Sequence, residues 1–317
     1  MTTIGILTSG GDAPGMNACI AAVAEHAEMH GAHIRGIFRG FRGLIEANSI
    51  PIGTELSGLA RRGGTFLGTS RNDGELEESL IKIGAVNALR GCGVDSLIVL
   101  GGGGSLSSAA RLAGAGAAIV GVPCTVDNDV YGTEYSLGFD TAVSKGMIVA
   151  DDMMDTAESL GERIFMLETL GAQTGHIALA TAYAVGADAV FVHEVKTDIK
   201  AVANKIRTKM DKGGTHGLIV LCEGLGTAEI AQELESLTGR RTRLTVLGHG
   251  QRGGSPTYLD RTLAREFAEA AVEMIISGES GRMITHYCGK TSSVALSEVA
   301  EKPRAIDMKK YESVNRF

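Results

Sequence analysis

Short, continuous apolar runs alternate with longer stretches of helical periodicity along nearly the whole chain, and this alternation limits the fold more than any other feature. The runs at 4–8, 34–38, 97–100, 119–122, 164–167, 189–192, 218–221 and 244–247 are each four or five residues long. Strands buried on both faces of a parallel sheet read this way. Helical patterns such as 199–210 and 262–276 separate them. In the first such pattern Met16, Ile20, Val23 and Ala27 share one face, Pro14 sits where a first turn tolerates it, and Gly31 is placed as the C′ residue. The expected fold class is α/β, with two doubly wound, mostly parallel sheet domains and an active-site cleft between them. No internal repeat at a fixed period interrupts the pattern.

In sheets of this kind ligands bind beyond the carboxyl ends of the strands. The residues that follow each apolar run are therefore the candidates for chemistry. They are Ser9 to Asp12, Gly101 to Ser105, Thr125 to Asp129, Glu168 to Gly171, Glu223, and His249 to Gly254. Gly10, Gly11 and Gly15 join a strand to a helix, where small residues let an anion approach exposed backbone N–H groups; a tight turn without a ligand is the alternative. Gly101, Gly102, Gly103 and Gly104 repeat the arrangement, with Ser105 at a possible N-cap; a flexible loop is the alternative. Asp127 and Asp129 stand two residues apart after a strand, which suits one base for a hydroxyl proton and one ligand for a cation on a phosphoryl group. An Asx-rich turn reads the same way.

Forty-four glycines against 5 prolines, with no low-complexity tract, signal tight turns and close backbone approaches rather than disorder. The net charge of -7 leaves no basic face for nucleic acid, so an anionic ligand must be held by local arginines and amides. Arg243, His249 and Arg252 are such a local group, with His249 and Arg252 in a turn, whereas Arg240 and Arg241 read as solvated surface. Five scattered cysteines without CxxC spacing argue against disulfides and zinc and fit a reducing cytoplasm. The first residues run straight into an apolar strand, without a leader pattern, and no apolar run reaches the roughly 18 residues of a membrane span. His26 and His30 form a weak pair on a helix face and read as structural. No G-x-G-x-x-G opens the first helix with an acidic partner about 20 residues on, which argues against a dinucleotide-binding oxidoreductase.

Taken in order, Leu7 to Asn17 (LTSGGDAPGMN), Gly63 to Gly68 (GGTFLG), Thr125 to Asp129 (TVDND) and Leu247 to Pro256 (LGHGQRGGSP) resemble the phosphofructokinase family in its bacterial form, through about Gly281. The resemblance implies a phosphotransferase that adds phosphate to the 1-hydroxyl of fructose 6-phosphate, or a related ketose phosphate, from ATP with Mg²⁺. It implies Asp127 as general base with Thr125 beside it, and Asp129 acting through the metal. It implies Gly11, Arg71, Gly102, Gly103, Gly104 and Ser105 around the donor. It implies Arg163, Gly171, Glu223, Arg243, His249 and Arg252 around the phosphosugar. Arg163 and Arg243 would come from a neighbouring subunit, so a cytoplasmic homotetramer is implied. The donor domain would comprise 1–138 plus 251–305, and the sugar-phosphate domain 139–250.

Several positions depart from the family pattern. Gly103 replaces a metal-site aspartate and Ala172 an arginine of the sugar loop, while Phe41, Asn72 and Ser108 differ on the donor side. Pyrophosphate-using relatives usually carry Asp at the position of Gly104 and Lys at that of Cys124, so their absence favours a nucleotide donor. Ala21, Glu25 and Thr54 stand where effector-site arginines are usual, so the family's regulation is not expected. The alternatives are a catalytically weakened or non-catalytic phosphosugar-binding regulatory subunit, or pyrophosphate as donor. The tail at 300–317 carries no readable signal.

Overall fold

The structure is a computed structural model and describes residues 1–70 and 74–316. The chain divides into two compact units, one of Met1–Thr141 with Arg252–Arg304 and one of Ala142–Gln251 with Ala305–Phe317.

Among the described residues the chain forms eleven strands: β1 Thr3–Thr8, β2 His33–Ile37, β3 Ser49–Ile52, β4 Ser96–Gly101, β5 Ile119–Pro123, β6 Arg163–Thr169, β7 Ala189–Phe191, β8 His216–Cys222, β9 Arg241–Val246, β10 Arg282–Tyr287 and β11 Lys290–Ala295. In the first unit they make one sheet in the order β11-β10-β5-β4-β1-β2-β3. The five central strands are parallel, and β3 and β11 add antiparallel edges. In the second unit β7-β8-β6-β9 is parallel throughout. The α/β class and the mostly parallel sheets therefore stand. All eight predicted strands form, with ends shifted by up to three residues. The two antiparallel edges and β10 were not expected. Ser49–Ile52 holds only single isoleucines around a proline, as an edge position allows, and the inner strand Arg282–Tyr287 has only Met283 and Ile284 as consecutive apolar residues, too short a run to stand out.

Side-chain alternation decides which helix covers which face. In the first unit Leu7, Val99 and Ile119 meet Leu89, Leu106 and Leu112 in one core. In the second, Phe165, Leu167 and Val220 pack on Ala178 and Ala182, while Ile164, Met166 and Ile219 face Val202, Ile206 and Leu234 on the other side. The helix Met16–Met29 is capped by Gly15 (φ 103), so Pro14 stands before the helix and not in its first turn as expected, and Gly31 at φ 68 is the C′ residue. Its burial exceeds the predicted single face, because it packs on both the helix Tyr258–Ile276 and the 3-10 segment Thr54–Arg61. His30 Nδ1 lies 2.8 Å from His26 O, a local helix-end contact.

The tail carries structure the sequence did not announce. Ile306, Tyr311 and Val314 enter the second unit's core. The Asn315 side chain pairs with the backbone of Val190 in both directions, at 2.9 Å each. No helix among the described residues is long and apolar enough to cross a membrane.

Candidate active site

In the first unit the turns after β1, β4 and β5 lie side by side because their strands are neighbours. Ser9 N–H donates to Leu100 O at 2.9 Å, and Cys124 N–H to Gly101 O at 2.9 Å. Gly101 must lack a side chain, since a Cβ there would stand 2.6 Å from Ser105 Cβ and 2.9 Å from Ser9 O. Gly102, extended, is the N-cap of the helix Gly103–Gly114. The expected capping by Ser105 is corrected. Ser105 lies buried inside the first turn, so the N-terminal amides are left to whatever enters from outside. Around the positions of Gly103 and Gly104 a Cβ would meet nothing within 4 Å.

The turn after β5 is built by side chains. Asp127 N–H donates to Thr125 Oγ1 at 3.2 Å, and that hydroxyl lies 3.4 Å from Asp127 Oδ2. Asn128 adopts φ 53, which asparagine tolerates better than most residues. Its Oδ1 accepts from Ser136 N–H at 2.9 Å, and its Nδ2 donates to Glu134 O at 3.0 Å. Thr125 closes the turn onto Asp127, and Asn128 ties it to Glu134 and Ser136 between the two aspartates. Arg304, far along the chain, donates its guanidinium to Glu134 O (2.7 Å) and Asn128 O (3.3 Å) and its N–H to Asp129 O (2.9 Å). Asn128, Ser136 and Arg304 were not singled out from sequence. The Asn128 signal was there as an asparagine between two aspartates; Arg304 had none.

Arg252 also belongs to the first unit. Its Nη2 lies 3.8 Å from Asp127 Oδ2, and its Nη1 donates to Asp12 O at 3.3 Å. The same Nη1 would stand 2.4 Å from a Cβ on Gly11. The structure therefore groups Gly11, Gly102 to Ser105, Thr125, Asp127 and Arg252. Arg71 and Asn72 lie outside the described residues.

In the second unit Glu223 Oε1 accepts from Ala172 N–H at 2.8 Å and Gly171 N–H at 3.3 Å, so the acid shapes the loop after β6. Gly171 has φ 153 and no room for a side chain, with Thr174 O 2.3 Å from an ideal Cβ, and Ala172 follows at φ 53. Buried Gln251 accepts from Leu170 N–H at 2.8 Å and donates to Ala142 O at 2.9 Å. His249 is exposed on the 3-10 segment Gly248–Arg252, one tight helical turn where an irregular turn was expected. Arg163 and Arg243 do not join Glu223 within the chain. Arg163 opens β6 and so lies about 20 Å of strand from the Gly171 loop. Arg243 lies on β9, at the sheet edge, in register with Phe165.

A phosphoryl-transfer metal needs few protein ligands, since substrate phosphates and water fill most of its positions. Among the described residues no group of three acidic, His or Cys side chains converges. Asp129 does line a pocket of about 200 Å³ together with Gly103. One carboxylate beside open space at a helix N-terminus fits a divalent ion carried in on a polyphosphate, and does not fit an ion held by protein alone.

Parallel sheets, two glycine-rich turns into helices and an aspartate turn at adjoining strand ends define an α/β protein that handles phosphate groups. The family model described as "Phosphofructokinase" matches residues 3–275, and the chain belongs to the phosphofructokinase family. An ATP-dependent 6-phosphofructokinase of Clostridium acetobutylicum is 40% identical over 317 residues, covering 99% of each chain. Phosphofructokinase from Saccharomyces cerevisiae superposes with a TM-score of 0.86 at 27% identity over 95% of this chain, which spans 45% of the yeast chain's length. A pyrophosphate-dependent phosphofructokinase from Marinobacter aquaeolei shares the fold, with a TM-score of 0.84 at 21% identity, covering 98% of this chain and 86% of that one.

Proposed function

We propose that the chain is an ATP-dependent 6-phosphofructokinase that transfers the γ-phosphoryl group of ATP to the 1-hydroxyl of fructose 6-phosphate. The observation that carries this reading is the intact Thr125–Asp127–Asp129 turn beside the Gly102 to Ser105 helix start, in a chain 40% identical over its length to an ATP-dependent 6-phosphofructokinase.

Asp127 takes the hydroxyl proton as the oxygen attacks phosphorus. Thr125 fixes its backbone and one carboxylate oxygen. The N–H groups of Gly103, Gly104 and Ser105 receive the donor's phosphate oxygens, which need not displace any side-chain cap. Gly11 and Arg71 also serve the donor. Asp129 is the ligand for Mg²⁺, which supplies charge neutralisation on the transferring group. Glu223, Gly171, His249 and Arg252 serve the phosphosugar.

Arg163 and Arg243 reach the phosphosugar of a neighbouring subunit in a cytoplasmic homotetramer. Their distance from Glu223 along the chain's own sheet supports that reading. So does the edge strand β9, where Leu244 and Val246 are 42% and 53% exposed.

The test is a coupled assay of fructose bisphosphate formation by the purified chain, with ATP and pyrophosphate in parallel. Turnover with ATP alone supports the reading, and turnover with pyrophosphate alone reassigns the donor. Gly103 and Ala172 favour a second reading, a phosphosugar-binding regulatory subunit. Folded protein that binds fructose 6-phosphate without turning over would establish it.

A further inference from the structure

The pocket of about 200 Å³ beside the helix start is lined by Gly103, Ser107, Asp129 and Tyr131 on one side, and by Val299, Ala300, Lys302 and Pro303 on the other. Among the described residues lining it are one carboxylate, Asp129, and one cation, Lys302. Lys302 does not hang there by chance of a loose tail. Pro303 bridges to Val130, and Arg304 is bonded through both backbone and guanidinium to the turn that carries Asp129. Backbone contacts on the next two residues thus fix where the lysine stem begins. Its ammonium rests 5.7 Å from the centroid of the Tyr131 ring, a solvent-side contact that an anion can outcompete.

We propose that Lys302 is a donor-binding residue, whose ammonium meets phosphate oxygens of the nucleotide in the pocket shared by Gly103 and Asp129. The inference rests on the proposed use of ATP at this site. The charge balance gives its reason. Lys302 offsets Asp129, so an incoming polyphosphate meets less repulsion than Asp129 alone would give. A glycine at 103 leaves the space through which a four-carbon stem can reach, with nothing within 4 Å of the missing Cβ. Positive charge placed on the phosphates also takes over part of what a more strongly held metal would do in the transition state.

The test compares the full chain with Lys302→Met and Lys302→Arg, by calorimetric titration of ATP in saturating Mg²⁺ and by initial rates. Lys302→Met should weaken ATP binding about tenfold, with Lys302→Arg retaining most of it, as loss of one charge-assisted contact predicts. The KM for fructose 6-phosphate should not move. Unchanged ATP affinity in Lys302→Met overturns the inference, as does equal weakening in both variants, or an unaltered chain that binds no ATP. An unaltered chain without turnover that still loses ATP affinity in Lys302→Met would sink the catalytic reading and keep this one.

Discussion

Arg252 Nη2 lies 3.8 Å from Asp127 Oδ2, so the cation of one turn stands against the proposed base of another. The two are 125 positions apart in sequence, and their side chains are only 22% and 14% exposed. Replacing Asp127 with Asn should lower kcat by about 10²- to 10⁴-fold, the usual share of a general base. Arg252→Lys should not rescue Arg252→Ala, because a lysine lacks the fork that reaches Asp127 and Asp12 O together. Steady-state rates with each substrate varied check both, and an Asp127→Asn chain with near-normal kcat would remove Asp127 from the base role.

Gly103→Asp should lower the Mg²⁺ concentration needed for half-maximal rate, by roughly tenfold if the new carboxylate becomes a second ligand. The side chain enters open space, so folding should be unaffected. No change across a Mg²⁺ titration would shift attention to Ala172 as the more consequential departure.

Asp260, 1% exposed, accepts Gly138 N–H (2.8 Å), Thr141 N–H (2.9 Å) and Thr141 Oγ1 (2.5 Å). Burial outweighs those bonds and pushes its carboxyl up to about 6 from 3.8. Between those values the folded chain binds the proton and the unfolded chain does not. This group's contribution therefore falls as pH rises from about 4 to about 6, by about 3 kcal/mol in all. Asp260→Asn would turn a donor toward backbone N–H groups and cost about 2–4 kcal/mol at pH 7. The gap to the unaltered chain should widen by about 1 kcal/mol on going to pH 5. Denaturant unfolding at the two pH values measures it, and a narrowing gap would contradict the raised carboxyl.

Cys19, Cys92, Cys124 and Cys222 are buried and Cys288 is exposed. Burial pushes the Cys19 and Cys222 thiols up to about 12, which removes the reactive thiolate at neutral pH. A thiol reagent should label one cysteine in the native chain and five after denaturation, and Cys288→Ser should abolish the native signal. Rapid labelling of a second thiol would show that the cores open readily.

The parallel sheets were legible because a strand buried on both faces must be apolar throughout, as Ile98 and Val220 are, and such runs are hard to mistake. Edge strands carry no such demand, so β3 and β11 left little trace, and β10 lacks a continuous apolar run. The turn residues of the candidate site were legible for a related reason. Glycines and paired aspartates after strands are costly in stability and imply a use. The roles assigned to them came from resemblance.

The sequence by itself determined the α/β class, the strands of the two parallel sheets and the residues standing at their carboxyl ends, because burial and backbone freedom act locally and leave periodic marks. Only the tertiary structure decided that Arg252 leans on Asp127, that Glu223 holds the Gly171–Ala172 loop, and that Arg304 braces the aspartate turn with Lys302 alongside. Those contacts join residues 50 to 180 positions apart, on the order set by strand neighbours rather than chain neighbours, and a pairing of that kind has no period in the sequence to betray it.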